Sequence, residues 1–184
     1  MRLALKLHSD SQCDAIKLIE VEAARSKSGT LHLRYIVNGI ISDLRRPPAM
    51  PPARADELWR HTCFEAFVQP PLEPAYYEFN FAPSMQWAAY RFGAYRTGMA
   101  VATEMSAPRL AAQSDGEAFE LQALLELGEL HDLPKAAPWR LGLSAVIEET
   151  SGRKSYWALA HPRGEPDFHR SDGFAVELSP ANSK

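Results

Sequence analysis

Apolar residues recur at every second position in segment after segment of this chain, and that pattern restricts it to a fold built from strands. The runs are Ile16 to Val21, Leu31 to Ile36, Cys63 to Val68, Tyr77 to Phe81, Phe119 to Leu125, Trp139 to Ile147, Ser155 to Ala160 and Phe174 to Leu178. A period of two sends successive side chains to opposite faces, so each run can bury one face while the other is free. Sustained helical periodicity is hard to find. Lys27-Ser28-Gly29, Ser114-Asp115-Gly116, Thr150-Ser151-Gly152 and Ser171-Asp172-Gly173 punctuate the runs with turn chemistry. Many short strands joined by such turns predict an all-β fold, a two-sheet antiparallel β-sandwich, with a barrel as the alternative closure.

At 184 residues, 46% of them hydrophobic and 23% charged, the chain has the composition of a globular protein large enough for one sizeable core. A single domain over 1–184 is expected. Pro47, Pro48, Pro51 and Pro52 cannot donate to a sheet ladder, so residues 45–55 read as an irregular loop inside that domain. Short helical turns are plausible at Ala55 to Trp59 and at Leu127 to Asp132. The net charge of −3 is spread along the chain without a basic block, which argues against a nucleic-acid partner. Met1 to His8 is too short and too charged for a signal-peptide core, and no apolar run would span a bilayer, so a cytoplasmic protein without a membrane partner is expected. Cys13 and Cys63 lack the spacing of a redox or zinc site and read as reduced thiols.

The most unusual stretch runs from Leu58 to Gly98, where aromatic residues are interleaved with Arg, Glu and Asn. Alternation puts Tyr77, Phe79 and Phe81 on one face of a strand and Tyr76, Glu78 and Asn80 on the other. In the preceding strand Phe64, Ala66 and Val68 oppose Cys63, Glu65 and Phe67. Glu65 therefore stands among large apolar neighbours and needs a cation or several donors, for which Arg91 and Arg96 are the candidates. An internal ion pair bracing the fold and a ligand-binding role both fit. A later cluster holds Trp157, His161, Asp167, Phe168 and His169; His161, Asp167 and His169 are metal-ligand types in a spacing that matches no metal signature. Dinucleotide, P-loop and nucleophile-elbow motifs are absent, which points away from an enzyme. Glu65, Glu78, Glu148 and Glu149 leave an acid/base pair conceivable.

The segments LWRHTCFEAFV, YYEFNFAPSMQWAAYRF, LGLSAVIEE, SYWALAHP and PDFH, taken together from about Trp59 onward, resemble bacterial DOMON-like proteins related to the family 9 carbohydrate-binding modules. The resemblance implies an immunoglobulin-like or jelly-roll sandwich that grips a terminal sugar between two tryptophans, with charged and amide side chains bonding the hydroxyls. Trp59, six residues ahead of Glu65, matches the family's first tryptophan and its acidic partner; Arg91 or Arg96 would be the cation, Trp157 the second tryptophan, and Glu78 and Asn80 further ligand groups. The implied function is a non-catalytic binding module for a sugar or similar polyhydroxylated small molecule, with no cofactor and an unknown protein partner. Two alternatives stay open: a haem- or metal-binding sandwich, with Met85 or Met99 and His161 or His169 as ligands, and a protein-interaction domain whose ligand site is lost.

Overall fold

The computed structural model describes residues 1–180 and is built from strands. They are β1 (Arg2–Leu7), β2 (Ile16–Arg25), β3 (Thr30–Gly39), β4 (Ala53–Arg54), β5 (Cys63–Gln69), β6 (Tyr76–Phe81), β7 (Gln86–Phe92), β8 (Ala100–Val101), β9 (Arg109–Ser114), β10 (Ala118–Glu126), β11 (Trp139–Glu148), β12 (Lys154–Ala158) and β13 (Val176–Leu178). Short 3-10 turns lie at Ile41–Asp43, Leu58–Arg60 and Ser171–Gly173. No helix among the described residues is long and apolar enough to cross a membrane.

The strands follow one hydrogen-bonded path, β4-β7-β6-β5-β11-β12-β1-β2-β3-β10-β9, with β8 added to β7 and β13 to β11. Strand β1 is the seam. Its first residues pair with β2, Leu5 facing Ile19, while Lys6 and Leu7 pair with Ala158 and Trp157 of β12. The sheet then curls until its two arms face each other. Tyr35 of β3 lies 5.1 Å from Phe64 of β5, Phe119 of β10 lies 5.9 Å from the same ring, and the Tyr35 hydroxyl donates to the Glu65 carbonyl at 2.8 Å. The core between the arms takes Ile19, Val21, Leu31, Leu33 and Leu121 from one side and Ala66, Phe79, Leu141 and Leu143 from the other.

The all-β expectation holds, but in place of two separate antiparallel sheets there is one sheet, continuous through β1 and containing a parallel pair, β4 with β7. That pair lies inside the segment read as an irregular loop. Ala53 and Arg54 follow the last proline and are free to bond; Arg54 donates to the Ala89 and Ala102 carbonyls and stacks on Trp87 at 4.4 Å. The helical turn read at Ala55 to Trp59 is a 3-10 turn at Leu58–Arg60, and the one read at Leu127 to Asp132 is a pair of hydrogen-bonded turns, Leu130 to Leu127 and Leu133 to Leu130.

The end of the inter-arm core is closed by a charge. The Arg25 side chain is 4% exposed, stacks on Trp139 at 3.4 Å, and donates to the carbonyls of Ala137, Leu178, Pro134 and Lys135. Burial pulls its pKa down to about 10, so it is still charged at neutral pH. A lysine keeps the charge but lacks the planar fork that reaches several carbonyls at once. Arg25→Lys is predicted to lower unfolding stability by about 2 kcal/mol or more, the scale of one or two charged hydrogen bonds. Urea denaturation checks this; a loss below about 0.5 kcal/mol, the level of an ordinary surface substitution, would contradict the clamp.

Candidate functional site

Strands β5 and β6 are buried on both faces, so the face turned away from the inter-arm core is also covered. On that outer face, strand register sets Glu65 opposite Asn80 on one side and Ser144 on the other, and Glu78 opposite Phe67 and Tyr90. Two segments cover it. One is the 3-10 turn carrying Leu58 and Trp59; the other is a strap, residues 159–175, that follows β12 and brings in Phe168, His169 and Phe174. Gly142 explains why the strap seats here, since a Cβ at that position would come within 2.5 Å of the Phe174 ring. Phe174 instead stacks on Phe67 at 5.5 Å. The strap is tied down by Asp167, which accepts from the Tyr95 hydroxyl and from Arg96, and by Arg140, which donates to the Ser171 carbonyl at 2.7 Å.

The floor beneath the strap is acidic. Glu65 is 3% exposed and Glu78 5%. Ser144 reaches Oε2 of Glu65 at 3.3 Å, and the Asn80 amide donates to Oε1 of Glu78 at 2.7 Å. Burial, then the neighbouring Glu78 charge, push the Glu65 carboxyl well above the usual carboxylate range, against the pull of Ser144 and Arg96. Burial likewise raises Glu78, opposed by the Asn80 bond and Arg96. His169 stands between this floor and the strap, with Phe67, Tyr76 and Phe92 around its ring. Burial, reinforced by Arg96, pushes its pKa down to about 4, so at neutral pH its 3.8 Å approach to Glu78 is not an ion pair. The Arg96 backbone N–H points at the Tyr76 hydroxyl, which in turn meets His169 Nδ1 at 2.8 Å; this order assigns the ring proton to Nε2, facing Glu78.

The residues read from sequence separate into two groups. Trp59, 49% exposed with Arg60 over its ring, is carried by the 3-10 turn whose Leu58 covers the face, while Glu65, Glu78 and Asn80 form the floor and Arg96 lies alongside, tied to Asp167. Arg91 is not the partner of Glu65. It shares a face with Tyr77, the opposite one, and pairs with Asp132 at 2.6 Å. Nor is Glu65 held ionised by an arginine, since no cation lies within 4 Å of it among the described residues. Trp157 is 5% exposed, faces the inter-arm core and donates to Ser155, so it cannot clamp a ligand on the outer face. His161, Asp167 and His169 do not converge: His161 bonds the Lys6 carbonyl, and no group of three metal-ligand side chains is formed among the described residues. Met99 is exposed and Met85 sits in the β6–β7 turn. Ser144 was not foreseen, because alternation within one strand does not say which strand pairs beside it, and the roles of Phe168 and His169 were not, because no local pattern tells where an irregular segment folds back.

A cleft of 380 Å³ opens at one end of this face, between Tyr76, Tyr95, His169, Arg170 and Phe174. A larger one, 630 Å³, lies on the other arm, but its charges are already matched: Arg34 pairs with Glu22 and Glu120, and Arg2 with Glu20. The buried acids without a cation, not the volume, single out the outer face of β5 and β6.

The fold has relatives among solved structures. One is a "putative carbohydrate-binding protein" from Bacteroides uniformis, matching with a TM-score of 0.68 over 98% of this chain and 86% of that one at 16% identity. Another is a family 9 carbohydrate-binding module from Caldicellulosiruptor kristjanssonii in complex with glucose, TM-score 0.57, covering 95% of this chain and 81% of that one at 9% identity. At such identities the likeness is one of fold. No family model matches the sequence, and no curated protein matches it.

A carboxyl whose folded pKa is raised stabilises the fold below its ordinary pKa and loses that contribution as pH rises through the folded value. His169 acts in the opposite sense, and only between about pH 4 and its ordinary 6.5. Glu65→Gln keeps an acceptor for Ser144 and removes the buried acid. It is predicted to raise the thermal midpoint at pH 8 by about 2 to 4 °C, the shift that ~1 kcal/mol produces in a chain of this length, with the gain shrinking toward pH 5. A lower midpoint at pH 8 would mean an ionised, paired Glu65.

Proposed function

We propose that this chain is a non-catalytic carbohydrate-binding module, a single domain that holds a sugar or similar polyhydroxylated small molecule over the outer face of β5 and β6. The observation that carries the reading is a pair of buried carboxyl groups without a paired cation, on a face one of whose covering turns carries the half-exposed Trp59. A pyranose answers both demands: its hydroxyls donate to the carboxyl oxygens, and its C–H face stacks on an aromatic ring. The carbohydrate-binding descriptions of the two structurally similar proteins favour the same ligand class.

In this reading Trp59 provides the platform, Glu65, Glu78 and Asn80 bond the ligand from below, and Arg96 and His169 border it from the strap side. Phe168, partly buried at the edge of the outer cluster, takes the place expected of a second clamp aromatic, since Trp157 points into the core. The two arms of the curled sheet correspond to the two layers of a sandwich of the DOMON-like and family 9 type. With both acids almost fully covered, the strap must shift to admit a ligand, and its irregular backbone from Leu159 to Arg170 has few ladder bonds to break.

Trp59→Ala is predicted to weaken sugar binding at least about tenfold, the loss of one aromatic hot spot. Its stability cost should stay below about 1 kcal/mol, because a half-exposed ring leaves no core cavity. Calorimetric titration of mono- and disaccharides into both proteins, with parallel urea denaturation, makes the test. A cost of about 3 to 5 kcal/mol, that of deleting a core aromatic, or unchanged affinity would sink the platform role.

A further inference from the structure

The charge of the outer face does not balance. Both acid side chains are more than nine-tenths buried, and each keeps one oxygen that accepts no hydrogen bond: Ser144 reaches only Oε2 of Glu65, and Asn80 only Oε1 of Glu78. The groups facing them supply no free positive charge. From β5 comes the Cys63 thiol, and from β6 and β7 come the Tyr76 and Tyr90 phenols, the latter donating to Asp56. The turn after β7 gives Arg96, already held by Asp167 of the strap, and the strap gives His169, which is neutral. Arg91, the other nearby arginine in sequence, is spent on Asp132 across the sheet.

We propose that the ligand of this face carries its own cation: a sugar bearing a protonated primary amine, whose ammonium sits between Glu65 and Glu78 and donates to their free oxygens. This rests on the carbohydrate reading above and narrows its ligand class. An ammonium has three donors and no acceptor, matching a pair of carboxyl groups that each keep one oxygen without a donor. In a poorly solvated place such charge-assisted bonds are stronger than those from a neutral hydroxyl. An uncharged sugar satisfies the hydrogen bonds but leaves two acids to share one site, which they do only by retaining a proton. Binding of the ammonium favours ionisation of both acids, so the retained proton leaves to buffer as the amine enters.

The test uses the full chain and three matched sets of probes at pH 6.5: glucosamine, galactosamine and mannosamine, each against its neutral parent and its N-acetyl derivative. In calorimetry at least one amino sugar should bind about tenfold or more tighter than both of its partners. Repeating that titration in two buffers of different ionisation enthalpy should show net release of a fraction of a proton, up to one per ligand. Glu78→Gln and Glu65→Gln, each first shown to unfold cooperatively, should bring the ratio of amino to neutral affinity close to one. If sugars bind but in every set the neutral parent or N-acetyl sugar binds as tightly as its amine, the ammonium proposal falls and the carbohydrate reading stands. If no sugar of any set binds, both fall.

Discussion

Strand β5 is packed on both faces, and most of the structure answers to that constraint. Its inner face, with Phe64, Ala66 and Val68, is covered by the far arm of the curled sheet through Tyr35 and Phe119. Its outer face, with Cys63, Glu65 and Phe67, has no second arm available and is closed by a 3-10 turn and an irregular strap. A strand that needs cover on two sides normally reads as an unbroken apolar run. Here the outer side carries a glutamate, and the strand beside it carries a glutamate and an asparagine, so the cover closes over polar groups instead of completing a second dry core.

That arrangement has an electrostatic consequence. Taking a carboxylate out of water costs several kcal/mol unless a cation or donors compensate. The fold supplies donors sparingly: one serine hydroxyl to Glu65 and one amide to Glu78. Arg96, the cation it does bring near, is committed to Asp167. The strap is anchored in part by the arginine that could have neutralised the floor, which couples closure of the strap to the unmet demand beneath it. The charge ladder on the other arm, Arg2, Glu20, Glu22, Arg34 and Glu120, is self-satisfied and reached by solvent, and makes no comparable demand.

Much of the scaffold was legible in the sequence, because period-two alternation directly encodes which face is buried. The segregation of Tyr77, Phe79 and Phe81 from Tyr76, Glu78 and Asn80 and the placement of Glu65 beside Cys63 and Phe67 follow from it. Strands β7 and β9 escaped the pattern for opposite reasons. In β7, Ala88 and Ala89 are buried on opposite faces and leave no amphipathic contrast, while β9 is a largely exposed edge with little apolar content. The partners of the site residues were far less legible. Arg91 lies one register position from Tyr90, and that single step puts it on the opposite face from Glu65. Trp157 alternates with Tyr156 and turns inward. His169 and Phe168 reach the site through an irregular strap whose path depends on Gly142 in a strand far away in sequence.

The central claim, that ligand is recognised on the strap-covered outer face of β5 and β6, is tested most directly by a chemical-shift map. Isotope-labelled protein titrated with the tightest-binding sugar of a mono- and disaccharide panel should show its largest shifts at the Trp59 indole, the Asn80 side-chain amide and the backbone of Glu65, Glu78 and residues 167–169. Shifts centred instead on His32, Arg34, Arg109 and Gln122, which line the larger cleft of the other arm, would contradict it.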